Sequence, residues 1–209
     1  MHIEFLVEEV SMEAALNNLL PKILKNDISY SIHPFNGKPD LLSQLPNRLK
    51  GYRKWLPKDW RIVVLVDQDQ EDCRTLKSEL ENAAKQAGFV TKSGANDPNR
   101  FEVLNRLAIE ELEAWFFGDP EAIAQAYPGV PMTIGHKARY RDPDAIVGGT
   151  WEALERILQK AGYYPSGMPK VETARNISRY MAPARNRSKS FQVFRDVLLQ
   201  LCSYKGKCK

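Results

Sequence analysis

The chain has 209 residues, 43% hydrophobic, 27% charged and 10% aromatic, with 30 Lys and Arg against 26 Asp and Glu for a net charge of +4. That length suits one large domain with a sizeable core, and no run of about 18 apolar residues is present, so a membrane-spanning helix is not expected. Sparse cysteines (Cys73, Cys202, Cys208), scattered histidines (His2, His33, His136) and the lack of GxxxxGK[ST] or GxGxxG loops argue against a disulfide scaffold, a zinc module, an ATPase and a dinucleotide enzyme.

The elements follow in order. "IEFLVE" (Ile3 to Glu8) reads as a strand. Ser11 offers an N-cap for an amphipathic helix carrying Ala15, Leu16, Leu19, Leu20 and Ile23, which Pro21 should kink or shorten. "ISYSIHPF" (Ile28 to Phe35) alternates as a second strand, and Asp40 can cap the helix after it. "RIVVLVD" (Arg61 to Asp67) is the clearest segment: five consecutive apolar residues indicate a strand buried on both faces in a parallel sheet. A helix from Cys73 to Ala87 stops at Gly88, "FVTKS" reads as another strand, and "FEVLNRLAI" as a further one leading into "EELEAWFFG". Asp119-Pro120-Glu121 marks a helix start. The order predicts an α/β domain with a mostly parallel sheet flanked by helices over residues 1–128. Residues 129–209 form a turn-rich excursion and three helices, a C-terminal elaboration packed on that core in one compact unit.

The mild net charge is divided. Lys170 to Lys209 holds ten Lys and Arg against two Asp and Glu, a net of +8, which leaves −4 for the first 169 residues. Such asymmetry hints at a polyanionic partner. The start "MHIEFLVEEV" lacks the pattern of a signal peptide, and the sparse, unpaired cysteines make the reducing cytoplasm the expected compartment.

Parallel α/β sheets bind ligands beyond the carboxyl ends of their strands. Glu8-Glu9 end the first strand there, and Asp67-Gln68-Asp69 end the buried one. If Asp67 and Asp69 continue strand geometry they point to the same side, an arrangement a hard cation such as Mg²⁺ or Mn²⁺ would relieve. Glu110, Glu111 and Glu113 follow another strand; Glu113 sits in apolar company beside Trp115, Phe116 and Phe117, where a carboxylate needs a partner.

"FLVEE" and "VVLVDQD" resemble the Toprim domain, the Rossmann-like fold shared by topoisomerases, bacterial primases and overcoming-lysogenization-defect nucleases. With "NRLAIEELEAWFFGD", "KARYRDPDAI" and "ARNRSKSFQVF", nearly the whole chain resembles a bacterial domain-of-unknown-function family with a Toprim-like core (family 4276), often encoded beside an ATPase. One departure stands out: Glu9 occupies the position where many Toprim proteins have glycine. The resemblance implies an Mg²⁺-dependent nuclease in which Glu8, Asp67 and Asp69 are catalytic acids. From its own setting Glu113 is a fourth catalytic candidate; joined by it or by Glu111, Asp67 and Asp69 would hold one or two ions, and Glu8 would be a further ligand or general acid/base. Arg185, Arg187 and Lys189, and the smaller group Lys137, Arg139 and Arg141, are candidates to grip a nucleic-acid backbone. DNA is favoured over RNA, a partner ATPase and a role in phage defence are implied, and no membrane is involved. The competing reading is a non-catalytic subunit of an ATPase complex, with Trp115 to Phe117 and the apolar stripe of the last helix as its contacts. Phosphoryl transfer on a small substrate is a third.

Overall fold

The computed structural model describes residues 1–97 and 100–204, the side chains of residues 203 and 204 excepted. Cys208 and the tail lysines Lys205, Lys207 and Lys209 lie outside the described residues.

Four strands, β1 (His2–Val7), β2 (Ser29–Pro34), β3 (Arg61–Asp67) and β4 (Val103–Ala108), form an all-parallel sheet in the order β2-β1-β3-β4. The protein is thus α/β, with helices on both sheet faces. On β3 the side chains alternate as strand geometry dictates. Val63 and Leu65 join the core beneath α1 (Val10–Ile23), while Ile62, Val64 and Val66 join the core beneath α2 (Lys38–Trp55) and α3 (Cys73–Gln86). Burial on both sides is why that segment reads as an unbroken apolar run.

The α1 face is also covered from the C-terminal half. After α4 (Leu112–Phe117) and α5 (Pro120–Ala126), the excursion runs through three short 3-10 turns at Met132–His136, Ala138–Tyr140 and Pro143–Ala145. It leads to α6 (Thr150–Lys160), α7 (Lys170–Tyr180) and α8 (Lys189–Tyr204). Lys22 of α1 donates to the carbonyls of Ser178, Arg179 and Met181 at 3.0, 2.7 and 2.9 Å, satisfying the open end of α7. Trp115 stacks on Phe194, meets Phe191 edge-on and donates its indole N–H to Ser190 Oγ at 3.0 Å. Trp115, Phe116 and Phe117 are fully buried, as are Phe191, Phe194 and Leu198 of the α8 stripe.

Three local expectations are corrected. "FVTKS" is not a strand: Thr91 makes a single bridge to Val103, and a turn closed by Gly94 N–H on Thr91 O at 3.1 Å ends the pairing. Helix α1 begins at Val10 with Glu9 as its N-cap, because the chain is extended only to that point; Ser11 lies inside the first turn, its hydroxyl on Glu9. Helix α2 begins at Lys38, directly after Gly37 at φ 92, and Asp40 instead accepts the Asn36 N–H at 3.0 Å.

Gly118 closes α4 where the chain returns at Asn186–Ser188. An added Cβ would lie 2.8 Å from the Ser188 nitrogen and would also run into Asn186 Oδ1. Gly118→Ala is therefore expected to cost about 1–3 kcal/mol through overpacking, measurable by urea denaturation.

Candidate acidic site at the carboxyl edge of the sheet

The chain leaves β1 for β2 on one side, while β3 leads to β4 on the other. The carboxyl ends of β1 and β3 therefore flank the switch point of the sheet, the crevice where open α/β sheets take ligands. Glu8 and Asp67 stand at those two ends. The Asp67 N–H donates to Glu8 Oε2 at 2.9 Å, and Glu8 N–H donates to Leu65 O at 3.2 Å. Both side chains are buried, and Asp67 Oδ1 has no hydrogen-bond partner.

Glu113, in the first turn of α4, is buried as well. Burial, Glu8 and Glu113 together raise Asp67 well above the ordinary carboxylate range. Burial also raises Glu8, against the pull of the Asp67 N–H and Lys38. Glu113 is pushed up to about 8, first by burial and then by Glu111, with Lys170 acting the other way. These are acids whose charge is poorly compensated by what surrounds them.

Asp69 departs from the expected geometry. β3 ends at Asp67, and Asp69 takes a left-handed conformation (φ 53) with its N–H on Glu110 O at 2.6 Å. Its carboxylate is then held by Lys38 Nζ at 2.7 Å rather than aligned with Asp67. Lys38 also reaches Glu71 at 3.1 Å and Gln68 O at 3.1 Å. Its burial lowers it, but the bonds to Asp69 and Glu71 outweigh that and keep it charged. Glu9 meets the Ser11 hydroxyl and Lys170, whose Nζ is 3.7 Å away. Glu111 accepts from Thr150 Oγ1 and Trp151 N–H, both at 2.8 Å, and so caps α6. A cleft of ≈ 970 Å³ opens beside them, walled by Asp69, Glu71, Glu110, Glu111 and Glu152.

The basic candidates lie apart from this cluster. Arg185 binds Asp119 at 2.8 Å and Glu121 at 2.7 Å. Arg187, Arg139 and Arg141 are exposed, Arg187 beside Gly135 and Arg139 over the Tyr140 ring. Lys189 is exposed at the start of α8 and lines a separate cavity. The cations that act on the acids are Lys38 and Lys170. Lys38 was within reach of sequence reasoning, since it follows β2 at the same sheet edge. Lys170 starts a helix remote in sequence and carries no such signal.

Among the described residues, no group of three or more His, Cys, Asp or Glu side chains converges tightly enough to hold a metal ion. The donor chemistry nonetheless fits a divalent cation: the buried Asp67 Oδ1 lacks a partner, and burial and mutual repulsion raise Asp67, Glu8 and Glu113 alike.

Fold and site together define a doubly wound α/β protein with buried carboxyls at its switch point. Residues 7–201 match the family described as Domain of unknown function (DUF4276), and the chain belongs to it. No curated protein and no solved structure matches it. Among the described residues, no helix is long and apolar enough to cross a membrane.

Proposed function

We propose that this protein is an Mg²⁺- or Mn²⁺-dependent phosphodiesterase acting on nucleic acid, with a Toprim-like acidic centre. The observation that carries the reading is the unpartnered Asp67 Oδ1, buried at the switch point beside the carboxyl of Glu8. Asp67 and Glu8 would hold the ion, with Asp69, Glu111 and Glu113 completing the acidic surroundings. A bound divalent ion supplies polarisation of the phosphate and a water of lowered pKa. Glu113, still protonated near neutral pH, is suited to give a proton to the leaving oxygen. Lys170, at the rim, is a fixed positive charge for a phosphate displaced towards α7. The family resemblance extends this to a partner ATPase and to defence against phage or mobile DNA.

A second reading has its own observation. Lys38 and Lys170 already set protein cations against the acids, as in a centre that holds the fold and serves an ATPase without cleaving anything.

Incubation with single-stranded, duplex and supercoiled DNA and with RNA, in Mg²⁺ or Mn²⁺, separates the two. Cleavage is expected from the wild type and is expected to vanish in the Asp67→Ala/Asp69→Ala variant. No cleavage by either, even with the partner ATPase supplied, leaves the second reading.

A further inference from the structure

Helix α2 and the turn after it hold a charge surplus that the acidic centre does not use. Residues 47–61 carry six Lys and Arg against one Asp, a net of +5 where the whole chain has +4, with Tyr52, Trp55 and Trp60 interleaved. Trp55 is 57% exposed and walls a cavity of ≈ 380 Å³ between α2 and the β2 edge of the sheet, beside Asn47, Arg48 and His33. We propose that this face binds single-stranded nucleic acid, with one base on Trp55 over the cavity and the backbone crossing Lys50, Lys54 and Lys58.

Lys50 and Lys54 stand one turn apart on α2, and Lys58 lies in the turn that follows. All three are exposed, and the described residues hold no ion pair for any of them. The nearby acids are already engaged: Glu102 by Arg53 at 2.8 Å, Asp59 by the Met1 amino group at 3.4 Å, and Glu4 by His2, His33 and Tyr52. A helix face that is merely solvated mixes charges of both signs. Helix α2 has a single acid, Asp40, near its other end. The helix dipole favours Arg53 and Lys54 in the last turn, yet it explains neither Lys50 and Lys58 nor an exposed tryptophan among them.

The face is also held in place. Arg61 donates to the carbonyls of Lys58 at 3.0 Å and Trp60 at 2.7 Å, which ties down the turn. Tyr52 and Trp60 meet Trp55 at 5.4 and 5.8 Å between ring centroids, holding its ring while leaving more than half of it to solvent. A fixed aromatic ring among unpaired cations suits a single strand: every base offers a face to stack, and the cations follow the phosphates. Gly51 lies beside Trp55 on the cavity wall, inside the helix, where an added Cβ would meet nothing within 4 Å. Glycine there weakens the helix with no packing to require it, and leaves the room a base plane would take. An anionic membrane would call for several apolar side chains protruding together. Among the described residues of this face Trp55 alone protrudes, Leu56 and Trp60 being half-buried.

Position separates this face from the acids. Arg61 opens β3 and Asp67 closes it, about 20 Å apart along the strand. The surface is an anchor at the amino end of the sheet. That an anchored strand runs on to the acids rests on the nuclease reading, whereas the binding surface does not.

The test is binding in EDTA, where cleavage plays no part. Anisotropy of a fluorescein-labelled oligothymidylate is read across a salt series for the full chain and its variants, with Lys160→Gln on α6 as control. Lys50→Gln/Lys54→Gln/Lys58→Gln is expected to bind about tenfold or more weaker and to lose roughly 2 from the log–log salt slope, while the control stays within about twofold. Trp55→Ala is expected to bind about fivefold or more weaker with its slope unchanged, and Trp55→Phe to recover most of that loss. Gly51→Leu should raise the melting temperature by about 1–3 °C yet weaken binding, a split that a purely structural glycine would not give. Wild type that fails to bind, a triple variant with an unchanged slope, or Trp55→Ala that binds like wild type overturns the proposal. So does wild type that sediments with phosphatidylserine vesicles but ignores the oligonucleotide, which would assign the face to lipid. Asp67→Ala should keep full affinity, so absent cleavage with intact binding counts against the nuclease reading alone. The substituted lysines and Trp55 are exposed, so melting temperatures near wild type are expected for these variants and separate lost binding from misfolding.

Discussion

In EDTA, the protein is expected to lose stability steadily as pH rises from about 5 to about 8, and Glu113→Gln is expected to remove Glu113's share of that slope, leaving the shares of Asp67 and Glu8. Glu113 is 3% exposed, and its carboxyl is pushed from 4.5 to about 8. Between those values the folded state keeps a proton that the unfolded chain has released. The unfolded state then binds fewer protons, so the stability of the fold falls with rising pH. Its contribution is complete below 4.5 and gone above about 8. At roughly 1.4 kcal/mol per unit, the loss is on the order of 5 kcal/mol. Glu8 and Asp67 are shifted in the same direction and add to it. Glutamine keeps the shape of Glu113 without the titration, so the variant should be the more stable protein at pH 8 and the nearly equal one at pH 5. Urea denaturation at fixed pH steps measures this directly. A flat profile for the wild type would show that these carboxyls are not short of compensation. Added Mn²⁺ should raise the melting temperature more at pH 8 than at pH 5, because the ion competes with protons for the same oxygens.

What the sequence discloses about this site follows the range of the forces involved. The unbroken run Ile62 to Val66 announces a doubly covered strand, and the edge rule then places Glu8 and Asp67 at neighbouring strand ends without any contact being known. Asp69 escapes that logic, because pairing stops at Asp67 and a left-handed residue redirects the chain towards Lys38. Lys170 acquires meaning from partners brought in by tertiary packing, and no local pattern marks it, whereas Lys38 follows β2 at the same sheet edge and could have been placed there. "FVTKS" misleads for the opposite reason: its β-forming residues are genuine, but a turn at Thr91–Gly94 cuts the pairing to one bridge. Arg185 has the composition of a backbone-gripping residue in "ARNRSKS", yet its acceptors lie 66 residues away at Asp119.

That pairing carries the other large expectation: Asp119→Ala should cost about 3–5 kcal/mol. Asp119 is fully buried between α5 and the segment joining α7 to α8. Its Oδ1 caps α5 through the Ala122 N–H at 3.3 Å and accepts from Arg185 Nε at 2.8 Å; its Oδ2 accepts from Ala182 N–H at 2.8 Å and Arg185 Nη2 at 3.0 Å. Alanine would strip the cap, orphan a backbone N–H and leave the guanidinium without its planar acceptor. Arg185→Ala should cost less, about 1–2 kcal/mol, since Arg185 is more than a third exposed and Asp119 would retain both backbone donors. Asn at 119 separates the two roles, because it can still accept from Ala122 or Ala182 while losing the ion pair. A double-mutant cycle on Asp119 and Arg185, read by urea denaturation, should give a coupling of about 1–3 kcal/mol. Zero coupling would mean that Arg185 is held loosely and can turn outward to a polyanion. A strong coupling, together with unchanged oligonucleotide affinity in Arg185→Ala, would fix it as the clasp that keeps the segment before α8 on the α1 face.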